Sequence, residues 1–326
     1  MTEEPGLIHN RAAMTQYMVK QRKIRIVPII VWAIIIGVAA HFANKVSFSD
    51  ANGIISPLPN STSSPSTLQI LFDGKARSQN ELVTKIKALT EKKQGFYSVY
   101  IFDLTNNTGI GINETTILTA ASVNKLPILA ALYYENESGT LDLDRRITLQ
   151  AKDIQDFGTG VLRYQGPGGL YSLKTLAQLL IEKSDNTAAY VLTQIVGESR
   201  IQELVEKWGM SQTDIKNNKT SNKDIALLLT KMYKEQIVGH ALTTEMIGFM
   251  DDSDFENRLP KLLPETVDVY HKIGNEVGYI HDVGIITLRD RPYYLGVMTN
   301  DILDVEDTEQ TIAEISKYVY DYMNSR

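Results

Sequence analysis

The sequence predicts an α+β fold in which an antiparallel sheet is flanked by the terminal helices and carries an all-helical insertion. Three observations lead there. Strand-like runs stand at both ends of residues 68–326, with FYSVYIFDL early and TVDVYHKIG, VGIITLRD and PYYLGVMTN late. Between them, residues 141–233 read mostly as helices, and a last helical pattern, TEQTIAEISKYVYDYM, closes the chain.

In order, ELVTKIKALTEKK places its apolar residues at helical spacing and precedes FYSVYIFDL, whose β-branched and aromatic residues suit a pleated surface. The turn residues TNNTG lead to a second strand-like piece and then to TAASVNKLPILAAL, where small residues give way to an apolar helical run. The middle helices are LKTLAQLLIEK, NTAAYVLTQIVG, RIQELVEKWG and NKDIALLLTKMY. Of the late strands, the last two are joined by a polar turn at 289–291.

The N-terminal part has a different character. Residues 26–43, IVPIIVWAIIIGVAAHFA, run for eighteen positions without Lys, Arg, Asp or Glu, near the lower limit for a membrane-spanning helix. Arg11, Lys20, Arg22, Lys23 and Arg25 precede the run, whereas only Lys45 occurs in the twenty-five residues after it. The positive-inside rule then places the N-terminus in the cytoplasm and the rest outside. The rival, a cleaved signal peptide, has a long leader here and a poor cleavage pair at Val38 and Ala40. SPLPNSTSSPST, at 56–67, lacks the large apolar side chains needed to fold and reads as a spacer. The expected organisation is a cytoplasmic segment 1–25, a transmembrane helix 26–43, a Ser/Pro-rich linker 44–67 and an extracytoplasmic domain 68–326.

With 43% hydrophobic residues, the chain can bury a full core. Its net charge of −6, with no concentrated basic face, argues against nucleic acid as a partner. The absence of cysteine excludes disulfides, thiolate catalysis and thiolate metal sites. Isolated histidines at 271 and 281 do not make a metal site, and no cofactor is expected.

Three short motifs carry candidate chemistry. Ser122 and Lys125 are three apart, so on a helix they share a face. They are either a helix N-cap followed by a solvated lysine, or a nucleophile beside a neutral amine that takes its proton. Ser184-Asp185-Asn186 stands between two helical patterns. It is a cap or turn, or else an extended turn in which Ser184 and Asn186 face a cleft while Asp185 points back into the protein. Lys272-Ile273-Gly274 ends a strand-like run; Lys-x-Gly recurs at Lys93 and Lys207, but only this copy precedes a hairpin partner and follows the other two motifs.

Ser-x-x-Lys, Ser-Asp-Asn and Lys-x-Gly in this order resemble the class A β-lactamases and penicillin-binding proteins. SVNKLPILAAL, IEKSDNTAAYVL and YIHDVGIITLRDRPYYLGVMTN are similar to that family as well, and the likeness runs from about Gly95 to the end. The resemblance implies a three-layer serine β-lactamase-like domain and a serine hydrolase that acts on β-lactams or peptidoglycan-like peptides. It also admits a D,D-peptidase or esterase that β-lactams inhibit, and a penicillin- or cell-wall-binding domain without turnover. In that frame Ser122 is the acylated nucleophile and Lys125 its proton partner, held neutral by Lys272 and by desolvation. Ser184 relays a proton to the leaving nitrogen, Asn186 holds the substrate amide, and Lys272 attracts the substrate carboxylate. Gly274 and Asn275 complete the substrate-binding set, with the backbone N–H groups of Ser122 and Asn275 as the oxyanion hole.

The pattern breaks in two places. Class A enzymes use a Glu-x-x-x-Asn loop to activate the deacylating water, and none occurs between Ser184 and Lys272. Asp214-x-x-x-Asn218 is the substitute on offer, with Asp214 either a deacylating base one methylene short or an exposed turn residue. Ile273 stands where the family has a hydroxyl that helps to bind the substrate carboxylate. A rival triad of Ser122, His281 and Asp282 would bypass Lys125.

Overall fold

The computed structural model describes residues 67–325 apart from 252 and 290, so the expected cytoplasmic segment 1–25, the expected transmembrane helix 26–43 and nearly all of the expected linker 44–67 lie outside the described residues. Among the described residues, no helix is long and apolar enough to cross a membrane.

The chain runs through α1 (Thr67–Thr90), β1 (Phe96–Asp103), β2 (Thr108–Ile112) and β3 (Leu118–Thr119) into a 3₁₀ turn at Ala121–Asn124 and α2 (Lys125–Glu137). There follow β4 (Arg146–Thr148), a 3₁₀ turn at Ala151–Asp153, α3 (Leu162–Gln165), β5 (Leu170–Ser172), α4 (Leu173–Glu182), α5 (Asn186–Val196) and α6 (Glu198–Lys207). The remainder is β6 (Lys219–Thr220), α7 (Asn222–Tyr233), α8 (His240–Gly248), β7 (Val269–Glu276), β8 (Tyr279–Ile286), β9 (Tyr293–Asn300) and α9 (Val305–Asn324).

Five strands make one antiparallel sheet in the order β2–β1–β9–β8–β7. The first and last parts of the chain meet where Phe96 pairs with Asn300 and Asp103 with Tyr293. β9 is buried along nearly its whole length because the sheet is covered on both faces. Strand alternation divides its side chains: Tyr293, Leu295 and Val297 join Ile312, Ile315 and Val319 of α9 and Leu82 and Ile86 of α1, whereas Tyr294 and Met298 join the core of the helical insertion. Three layers result. The expected α+β architecture is the observed one.

The insertion, expected from sequence to be all-helical, is not wholly so. Two short ribbons, β3 with β6 and β4 with β5, interrupt it. Strands of two or three residues are too short to leave a period in the sequence. The helix boundaries follow their caps: Ser172, Asp185, Ser221 and Asp304 each accept a hydrogen bond from the amide three residues on.

Candidate active site

The site lies where the 3₁₀ turn at Ala121–Asn124 meets the free edge of β7. Ala121 takes φ +48°, a left-handed conformation that costs a non-glycine residue about 1–3 kcal/mol. The following 3₁₀ turn eclipses side chains three apart, so Ser122 and Lys125 share a face. Ser122 caps no helix, since α2 begins at Lys125 with Asn124 before it, and Lys125 is only 5% exposed. The reading as a cap followed by a solvated lysine is therefore set aside.

Lys125 Nζ reaches the backbone carbonyl of Ser184, Ser184 Oγ at 3.1 Å and Asn186 Oδ1 at 2.8 Å. Burial pushes its pKa down to about 7, against the opposing pull of Asp185. Lys272 is not what neutralises it, contrary to the expectation from the resemblance. Lys272 is itself held well below the usual lysine range, first by its own burial and then by the charge of Lys125.

The Ser184-Asp185-Asn186 segment is not an extended turn. Ser184 is left-handed at φ +49°, Asp185 is the N-cap of α5, and Asn186 opens that helix. Ser184 and Asn186 nevertheless both meet Lys125. Asp185 points inward, accepting from the amides of Ala188, Val161 and Leu162. The loop at 157–160 braces this turn from outside, as Thr159 Oγ1 donates to the Ser184 carbonyl at 2.7 Å and Asn186 Nδ2 donates to the Phe157 carbonyl at 3.1 Å. Gly160, at φ +117°, is needed there because a Cβ would stand 2.3 Å from Asp185 Oδ2.

β7 is an edge strand, and its outward backbone groups face the nucleophile turn. The amide of His271 bonds to the Met250 carbonyl rather than to β8. Opposite Asn275, the Ile280 amide is taken by Thr299 Oγ1 on the β9 side. Residues 271, 273 and 275 are thus non-bonded to β8, and the N–H of Asn275 points off the free edge. Gly274 lets the two segments touch: a Cβ there would lie 3.1 Å from the Ala120 carbonyl and from Val123. Ile273 is buried and supplies no hydroxyl.

Asp214 is not brought into this group. Its carboxylate accepts from the amide of Asn217 at 2.9 Å and from its side chain at 2.8 Å, which keeps its pKa below the usual carboxylate value. The cleft it lines holds Glu198, Gln202, Glu203 and Lys216 but neither Ser122 nor Lys125. The rival triad fails as well. His281 Nδ1 accepts from the Thr299 amide, so its proton is on Nε2 and donates to the Thr119 carbonyl at 2.8 Å. Burial pushes the His281 pKa down to about 4, and Asp282 pairs instead with His271 at 2.8 Å.

Two features escaped the motif reading. Asn218, left-handed at φ +51°, accepts a hydrogen bond from Asn124 at 2.8 Å and ties the 214–219 turn to the nucleophile turn. Arg258, 1% exposed, donates to Asn275 Oδ1 at 2.6 Å. Asn218 was singled out only as the end of the Asp214-x-x-x-Asn218 spacing, which does not reveal its bond to Asn124, and Arg258 forms no local pattern at all.

A half-buried serine next to a buried, near-neutral lysine, a second serine on that lysine and an outward strand amide define a serine acyl-transfer hydrolase. The comparisons agree. The profile of the beta-lactamase enzyme family matches residues 81–323, and the chain belongs to that family as a class A β-lactamase-like serine hydrolase. It is 24% identical to the extended-spectrum β-lactamase PER-1 of Pseudomonas aeruginosa over 267 residues, covering 74% of this chain and 87% of that protein. Among solved structures, PBP-A superposes with a TM-score of 0.71 at 24% identity, over 76% of this chain and 97% of its own. A PBP-A mutant in acyl-enzyme complex with penicillin G gives the same values. At that identity the structural likeness establishes the fold.

Proposed function

We propose that this protein is a membrane-anchored, extracytoplasmic serine hydrolase that is acylated at Ser122 by β-lactams or related cell-wall peptides and releases the acyl group slowly. The observation that carries the reading is the buried Lys125 amine, with a pKa of about 7, on the face it shares with Ser122. In acylation, Lys125 Nζ takes the Ser122 hydroxyl proton as Oγ bonds to the substrate carbonyl carbon. The oxyanion is received by the amides of Ser122 and Asn275. The C–N bond then breaks, and a proton passes from Lys125 through Ser184 Oγ to the leaving nitrogen; the 3.1 Å contact between them supports this route. Asn186 and Lys272 hold the substrate on either side.

Deacylation requires water activated by a base, and the loop glutamate is missing. Asp214 is committed to its own turn, so Asp214→Asn is expected to leave the lifetime of a β-lactam adduct little changed, as followed by intact mass. That favours a peptidase inhibited by β-lactams over a fast β-lactamase; the PBP-A mutant, which holds penicillin G as an acyl-enzyme, is the comparable case.

The anchor at 26–43, with 1–25 in the cytoplasm and a linker at 44–67, rests on the placement of the basic residues. Protease added to intact spheroplasts is expected to remove the domain. Its survival, where a known external protein is digested, would reverse the orientation.

A further inference from the structure

We propose that Arg258 is a positioning residue for the oxyanion hole: it clamps the side chain of Asn275 and so fixes the backbone amide of that residue against Ser122. This rests on the acyl-transfer reading above. Asn275 stands at the exposed end of β7, and beyond it come exposed Glu276, Val277 at 95% exposure and Gly278 at φ +82°. A strand end of that kind has little packing to hold it. The one side-chain hydrogen bond of Asn275 among the described residues is the 2.6 Å bond from Arg258 Nη2.

The guanidinium ties this strand end to two firmer elements. Nη1 donates to the carbonyl of His281, which pairs with Gly274 across the hairpin, at 2.7 Å. Nη2 and Nε donate to Glu309 Oε1 on α9 at 2.8 and 3.2 Å, and α9 is buried along Ile312, Ile315 and Val319. Of the five N–H groups, the one on Nε, both on Nη2 and one of two on Nη1 are therefore engaged. Its charge is met by Glu309, and it is only 1% exposed. The one N–H left over, on Nη1, belongs to a side chain that is almost wholly out of solvent. Its effect on the reaction is transmitted through Asn275.

The test compares acylation of the full-length protein by a β-lactam and by the methyl ester of the same compound, in wild type, Asn275→Ala, Asn275→Asp and Arg258→Lys. Loss of the clamp is expected to slow acylation by about 10- to 10²-fold in Asn275→Ala, less than the 10²- to 10³-fold cost of deleting an oxyanion donor. The factor should be the same for acid and ester, and Asn275→Asp, which keeps an acceptor for Arg258, should recover most of the rate. Asn275 is exposed, so its variants read the clamp even if Arg258→Lys does not fold. Two results would overturn the proposal: an unchanged rate in Asn275→Ala with Ser122 still labelled, or a loss confined to the free acid, which would make Arg258 a carboxylate site. Failure of the wild type to be labelled at Ser122 is a different result and removes the acyl-transfer reading itself.

Discussion

Ser122→Ala is expected to lose all covalent labelling by β-lactams while remaining folded. The change deletes one oxygen from a half-buried residue that caps no helix, so it disturbs neither α2 nor the core beneath it. Labelling is all or none in this variant because, among the described residues, no other half-buried hydroxyl stands on the face of Lys125. Ser184 has its Oγ on the same lysine but is buried in the left-handed turn before α5. Peptide mass fingerprinting of the treated variant checks the expectation, and label on any other peptide would move the nucleophile.

Lys125→Met is expected to slow acylation by about 10² to 10⁴-fold, the usual contribution of a general base. Methionine fills the buried space of the lysine stem without its amine. The pH dependence of the wild type carries the same information. Burial pushes the pKa of the amine from the usual 10.5 down to about 7, so its neutral fraction at neutral pH is raised about three orders of magnitude. Its neutral form is the competent one. Acylation should therefore fall about tenfold per unit below pH 7 and level off above it. A midpoint near 10 would mean that the desolvation of Lys125 is relieved in solution and that another group takes the proton.

The parts of this site legible in the sequence are those set by local geometry. Ser122 and Lys125 were readable because a helical turn fixes residues three apart. Asp185 was readable as pointing back into the protein, and the structure adds that it caps α5 by accepting from the amide of Ala188. β7, β8 and β9 announced themselves through their β-branched and aromatic runs, and with the first strand they gave the sheet. What spacing does not record is contact between distant segments. Asn124 meets Asn218, Arg258 meets both Asn275 and Glu309, and His271 rather than His281 pairs with Asp282. The cause of the Lys125 shift belongs with these, because burial depends on everything packed around it. The left-handed Ser184 was misread for a related reason: its conformation is held by the Thr159 hydroxyl and the Lys125 amine on its carbonyl, and both come from elsewhere in the chain.

Acylation of Ser122 through Lys125, without Asp214 in place to release the acyl group quickly, is what distinguishes this reading. Time-resolved mass spectrometry of the purified protein with penicillin tests it most directly. A single intact drug adduct is expected on the peptide containing Ser122, present within minutes and persisting, with the same lifetime in Asp214→Asn. An adduct that clears within seconds in the wild type and persists only in Asp214→Asn would contradict it, and would give the aspartate the role of the missing glutamate.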